Sequence, residues 1–191
     1  MNILLTGGAG FIGGHLTEAL LASGHRVTVI DNYSTGSPEN LARVADHPGL
    51  TLIEADILDC AETLENCIAA SDVVFHLAAA VGVELVVRDP VRTITTNVHG
   101  TENVLKLTAK YNRRVIVAST SEVYGKSTNP LFSETDDLLI GSPFHSRWSY
   151  ACSKLLDEFY VMAFHRATGM PGTVVRFFNT VGPRQTGMYG M

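Results

Sequence analysis

The segment that most constrains this chain lies near its start: Thr6-Gly7-Gly8-Ala9-Gly10-Phe11-Ile12-Gly13, between the apolar run Asn2–Thr6 and a helix-period stretch over residues 11–23. Glycines so placed between a strand and a helix allow a tight turn, a close backbone approach to a ligand, and close helix–strand packing. Gly7 suits the turn, Gly10 the approach and Gly13 the packing. The N–H groups at the start of the helix then face any anion that enters. The segment reads G-x-G-x-x-G from Gly8 and G-x-x-G-x-x-G from Gly7. A plain glycine turn is the alternative. The flanking strand and helix, and Asp31 ending the next strand, favour a dinucleotide site.

The rest of the chain keeps alternating short apolar runs with longer helical periods. Strands are expected at Arg26–Asp31, 50–55, 72–77, 114–118 and 173–177, and helices at Ala61–Ala70, 90–111 and 150–167. Gly24 is placed to stop the first helix at its C′ position. In the 90–111 helix the run Thr93-Ile94-Thr95-Thr96 has low helix propensity, so packing must hold it. Nearly continuous apolar strands separated by helices imply an α/β fold: a doubly wound parallel sheet of the Rossmann type, with its ligand crevice at the carboxyl ends of the strands. Hydrophobic residues make up 46% of the 191, enough for a packed core, and no repeat or linker divides them.

Residues following strands are therefore the informative ones. Asp31 can accept hydrogen bonds from ribose hydroxyls and would repel a 2′-phosphate. No Lys or Arg occurs over residues 32–40 to neutralise one, so NAD is expected over NADP. Asp56-Ile57 follows the third strand, where the carboxylate could meet an adenine amino group or simply cap the next helix. The small residues of Leu77-Ala78-Ala79-Ala80 could let a cofactor pass near the backbone, or serve the core.

Tyr150 and Lys154 stand at i and i+4 on one helical face. An ammonium beside a phenol favours phenolate, so such a tyrosine is expected to have a lowered pKa and to act as a base. A surface pair is the ordinary alternative. Ser119-Thr120-Ser121-Glu122 follows the fifth strand and adds hydroxyls for a substrate oxygen and a carboxylate for acid or base work.

Taken with Asp31-Asn32, HLAA at His76, TNVHGTENVL, STSEVYG, YACSK and RFFNTVGPR, the chain resembles the extended short-chain dehydrogenase/reductases, the NAD-dependent epimerase/dehydratases of nucleotide sugars. The resemblance implies a catalytic group of Thr120, Tyr150 as base and Lys154, which would orient the cofactor ribose, with Ser121 and Glu122 beside them. It implies that Asn97 fixes the active-site backbone at the cofactor site, that Phe177 and Phe178 lie by the nicotinamide, and that Asn179 reaches the sugar diphosphate. Arg184 would meet a substrate phosphate or carboxylate, or lie on the surface.

The same resemblance implies oxidation at the sugar C4 hydroxyl to a 4-keto intermediate. Thr120-Ser121-Glu122 and Arg147-Trp148 are similar to the pattern of nucleotide-hexuronate decarboxylases, whereas Tyr-Ala-Cys-Ser-Lys departs from the Tyr-Asp-Glu-Gly-Lys of many of them. A UDP-hexuronate decarboxylase or 4-epimerase is expected, with a UDP-glucose 4-epimerase, a 4,6-dehydratase or an inactive NAD-binding module as alternatives. Relatives continue into a smaller substrate lobe, so residues 1–191 are read as the NAD-binding domain with that lobe largely absent. A homodimer through the 90–111 and 150–167 helices is also implied.

Other classes recede. The net charge is -5 with no basic stripe, which speaks against nucleic acid. Three cysteines without CxxC spacing speak against a disulfide framework or zinc site. Cys152 is read as a packing residue, and seven scattered histidines give no metal site. Without an 18-residue apolar run or a cationic leader, neither a membrane span nor a signal peptide is expected, and the cytoplasm is the default location.

Overall fold

In the computed structural model, residues 1–185 are described, with backbone alone for 83–85. The end of the expected 1–191 domain, residues 186–191, lies outside them. Six strands form one sheet: β1 (Asn2–Thr6), β2 (Arg26–Asp31), β3 (Leu50–Glu54), β4 (Val73–His76), β5 (Arg114–Thr120) and β6 (Gly172–Phe177). All pair in parallel, in the order β3-β2-β1-β4-β5-β6. The expected doubly wound sheet is therefore present. The winding direction reverses between β1 and β4, where Thr6 is in register with Ile30 on one side and His76 on the other. A crevice opens at such a reversal because neighbouring connections leave in opposite directions.

Alternation along the strands divides the core. On one face Leu4, Val74, Val115 and Val117 pack with Leu64 and Ile68 of α2 (Ala61–Ala70). Val104 and Leu105 of α4 (Pro90–Lys110) and Val161 of α5 (Trp148–Thr168) complete that layer. On the other face Ile3, Leu5, Val27 and Val29 meet Leu21 of α1 (Phe11–Ala22) and Leu41.

Local signals explain the helix ends. Asp89 caps α4 by accepting from the Arg92 N–H at 3.0 Å, with Pro90 in the first turn. Within its β-branched stretch Thr93 is buried, its hydroxyl donating to the Asp89 carbonyl at 3.0 Å, while Ile94 and Thr95 are exposed. Gly169 ends α5 in the left-handed conformation, its N–H on the His165 carbonyl.

The structure differs from expectation at several boundaries. A short helix, α3 (Val83–Arg88), fills a stretch with no helix expected. The β5 strand runs two residues further, to Thr120, and α5 begins at Trp148 rather than Tyr150. Cys152 is exposed, so it is not a packing residue: at i+2 from Tyr150 it turns to the outer face of α5. All three cysteines are free. Among the described residues no helix is long and apolar enough to cross a membrane, and no His, Cys, Asp or Glu group converges on a metal site.

Candidate active site

A cleft of about 750 Å³ opens at the carboxyl ends of the strands. Its floor is the glycine turn. Gly7 has φ +75, and a Cβ there would lie 2.6 Å from the Ala78 nitrogen, so only glycine lets the turn cross the end of β4. A Cβ at Gly13 would run into the Gly7 carbonyl oxygen. Gly10 begins α1 with no side-chain cap, which leaves the helix start suited to an anion. Gly7, Gly10, Phe11, Ile12 and Gly13 all line the cleft.

Asp31 and Asn32, at the end of β2, form the next wall. The Asp31 carboxylate takes the Ala9 and Tyr33 N–H groups at 2.9 Å each, one per oxygen, which fixes it while leaving lone pairs for a ligand hydroxyl. Burial raises its pKa, and those two N–H donors oppose the rise. Asn32 donates to Asp56 at 2.7 Å. Asp56 also accepts from the Leu58 N–H and is not the N-cap of α2, a position held by Cys60; it organises the turn between β3 and α2. Asp56, Ile57, Leu77, Ala78 and Ala79 line the same cleft.

Thr120, Glu122, Tyr150 and Lys154 share the opposite wall with Phe177, Phe178 and Asn179. The extension of β5 makes Thr120 the last strand residue, and its hydroxyl accepts from the Glu122 N–H at 3.2 Å to start a one-turn 3-10 helix, Ser121–Tyr124. Glu122 opens to solvent, yet crowding by the cleft wall raises its carboxyl above the usual range, with the Arg147 guanidinium pulling the other way. Ser121 and Asn97 are not on the cleft wall. Asn97 is buried: it accepts from the Ala80 N–H at 2.7 Å and donates to the Ala80 carbonyl and the Ser153 hydroxyl. It therefore ties the loop after β4 to α5 and acts on the backbone, not by touching a ligand from the wall.

The expected lowering of the Tyr150 pKa is not seen. It is strongly raised, first by burial and then by the Glu122 and Asp157 carboxylates, while the Thr120 hydroxyl opposes. Lys154 does not offset this: its Nζ binds Asp157 at 2.7 Å with both side chains all but fully buried. Paired in this way, the ammonium offers Tyr150 little net charge.

Arg184 borders the cleft with its guanidinium already engaged by both Glu18 oxygens and the Asn40 carbonyl. That arrangement holds Glu18 below the usual carboxylate range and leaves Arg184 as a tether for the last described loop. Sequence reasoning missed Asp157, Glu158 and Arg176. The i, i+3 spacing of Lys154 and Asp157 was the available signal for the first.

A doubly wound fold, a glycine turn at the reversal point and a Thr–Tyr–Lys wall define a dinucleotide-binding domain of the dehydrogenase type. Residues 3–190 match the NAD dependent epimerase/dehydratase family, and the chain belongs to it. It is 44% identical over 181 residues to the UDP-N-acetyl-alpha-D-glucosaminuronate decarboxylase of Bacillus cytotoxicus, covering 95% of this chain and 55% of that protein. With UDP-glucuronic acid decarboxylase 1 of Arabidopsis thaliana the identity is 38%, over 96% of this chain and 41% of the relative. The chain thus spans about half the length of these curated relatives. Among solved structures, the UDP-N-acetylglucosamine 4-epimerase of Methanobrevibacter ruminantium M1 superposes with a TM-score of 0.88 at 36% identity, over 97% of this chain and 57% of the other. The NAD-bound dTDP-glucose 4,6-dehydratase of Streptomyces venezuelae gives 0.88 at 33%, over 97% and 58%.

Proposed function

We propose that this chain is the NAD-binding and catalytic part of a nucleotide-sugar enzyme acting through a 4-keto sugar, with a UDP-hexuronate as substrate and decarboxylation or 4-epimerisation as outcome. One observation carries the reading: Thr120, Glu122, Tyr150 and Lys154 face the glycine turn and Asp31 across a single cleft. The cleft fits NAD, since a Cβ at Gly7 would fill the turn and Asp31 is held where a ribose would lie. Gly7, Gly10, Gly13, Asp31 and Phe177 would hold the cofactor, with Lys154 at its ribose. Bound there, NAD supplies reversible hydride acceptance at C4 of the sugar.

The chain's own residues move the protons. Tyr150 takes the C4 hydroxyl proton when ionised, a form that the Thr120 hydroxyl favours against the burial that holds the resting phenol protonated. In a hexuronate the C5–carboxylate bond then breaks, carbon dioxide leaves, and its electron pair moves into the C4 carbonyl. Glu122, whose carboxyl holds its proton above the usual range, stands in the same wall to protonate C5. The likeness to two curated decarboxylases favours this outcome over epimerisation.

Incubation with NAD and UDP-glucuronate, read by mass spectrometry, tests the proposal: loss of carbon dioxide supports decarboxylation, an isomer of equal mass epimerisation. Tyr150→Phe should abolish turnover and leave NAD binding nearly intact; unchanged turnover overturns the mechanism. The alternative reading is an NAD-binding module without turnover. NAD binding with no UDP affinity in calorimetry would select it.

A homodimer is part of the proposal. Val91 and Ile94 of α4, with Leu156, Phe159 and Met162 of α5, are exposed apolar residues on two helices that pack together. The three free cysteines suit a reducing compartment, and we assign the chain to the cytoplasm.

A further inference from the structure

One buried charge in α5 is not used by the reaction above. Asp157 is fully buried, three residues after Lys154, and binds its Nζ at 2.7 Å. The other carboxylate oxygen, Oδ1, is buried without a hydrogen bond of ordinary geometry; burial raises the Asp157 carboxyl, and the Lys154 ammonium and the Thr101 hydroxyl oppose the rise. Thr101 also meets His76 Nε2 at 3.0 Å, and His76 Nδ1 meets the Thr6 hydroxyl at 2.7 Å. A polar chain thus runs from β1 through β4 and α4 to the lysine of the cleft. A carboxylate taken wholly out of water is costly and persists where a cation and hydrogen bonds offset the loss of hydration. Here the cation is a cleft residue.

We propose that Asp157 is a positioning residue: it holds the Lys154 ammonium and thereby governs how tightly Tyr150 keeps its proton. The inference rests on the reading of Tyr150 as the base. Lys154 lies one helical turn from Tyr150, so its charge would favour phenolate if unopposed. Asp157 turns that charge into a compact pair. The other groups around the tyrosine are Thr120 at the end of β5 and Glu122 in the following turn. Around the pair stand His76 of β4, which feels the lysine, and Glu158 of α5, which faces Asp157 and is itself paired with Arg176 of β6. Among these, Asp157 is the group on the lysine Nζ. The resting state then keeps a protonated tyrosine, and the pair supplies a counter-charge that substrate and cofactor can redistribute.

The test is a tyrosinate titration of the full chain by ultraviolet difference spectroscopy. Subtracting the matching variant that also carries Tyr150→Phe isolates Tyr150 among the six tyrosines. At about pH 11, one unit above the ordinary tyrosine value, the ionised fraction of Tyr150 should rise about fivefold to tenfold in Asp157→Asn relative to the parent. An unchanged fraction overturns the proposal. Asp157→Glu keeps the charge and should stay near the parent; a rise equal to that of the amide variant also overturns it. A purely structural role would lower the unfolding midpoint without moving Tyr150. Should Asp157→Asn not fold, the smaller neutral Asp157→Ser makes the same comparison. Failure of both to fold assigns Asp157 to stability alone and overturns the proposal. The readout needs neither cofactor nor substrate, so a chain without turnover on nucleotide sugars, which defeats the proposed function, still decides this one.

Discussion

Glu158 of α5 grips Arg176 of β6 with both carboxylate oxygens, at 2.7 to 3.2 Å, and also accepts from the Ser119 hydroxyl. The guanidinium lies over the Tyr124 ring at 4.8 Å. One carboxylate thus joins α5 to β5 and the edge strand β6, and the guanidinium it holds reaches the turn bearing Glu122. Both partners are only about a tenth exposed, so the pair is little screened.

Glu158→Gln should therefore cost more than a surface pair would. It leaves a guanidinium in a dry site facing a neutral amide, and a loss of about 3 kcal/mol is expected. Urea unfolding of parent and variant measures it. A loss below about 1 kcal/mol, the range of exposed pairs, would show that water reaches the site.

Two glycines separate local strain from steric conflict. Gly169 has φ +77 and nothing within 4 Å of an added Cβ, so Gly169→Ala should cost about 1 kcal/mol and leave NAD affinity unchanged. Gly7→Ala meets the same backbone strain and the Ala78 backbone as well. It should destabilise by about 3 kcal/mol and weaken NAD at least tenfold by calorimetry. Equal effects in the two variants would refute the role given to the turn.

His76 makes the fold sensitive to acid. Burial, with the Lys154 ammonium adding, pulls its pKa down to about 3, against about 6.5 in an unfolded chain. The unfolded state therefore binds the proton first. The contribution of neutral His76 is whole above about pH 6.5 and shrinks as the pH falls towards 3, by roughly 1.4 kcal/mol per unit. Between about pH 7 and pH 5 the parent should lose about 2 kcal/mol through this group, and His76→Asn should not. Urea midpoints at the two pH values check the difference.

Phe159 is 65% exposed at the centre of the apolar stripe on α5. Phe159→Glu should convert a dimer to a monomer in light scattering while the unfolding midpoint at the same chain concentration falls. A parent that is monomeric at all concentrations would remove the dimer from the proposal.

The strands were readable because those of a doubly wound sheet, buried on both faces, are runs of Val, Ile and Leu. Leu4-Leu5 and Val73-Val74 mark themselves in this way. The glycine turn and Asp31 were readable because each occupies a fixed offset from a strand end. Interactions between elements distant in sequence were not. Asn97 bonds Ser153 across 56 positions, and Glu158 meets Arg176 only once β6 lies beside β5. The raised pKa of Tyr150 was hidden for a related reason. Helical spacing placed an ammonium on its face, but showed neither the burial that raises the phenol nor the carboxylate that binds that ammonium.

The sheet reversal between β1 and β4 has a mechanical consequence. It is a seam between two halves, β3-β2-β1 and β4-β5-β6, closed only when Thr6 pairs with His76 some seventy positions later. The cleft draws walls from both halves, so a molecule that fills it touches both and works as a clasp across the seam. At about one hundred times its dissociation constant such a ligand adds about 2.7 kcal/mol to the folded state. Occupancy of the cleft and integrity of the sheet are therefore linked equilibria in this chain.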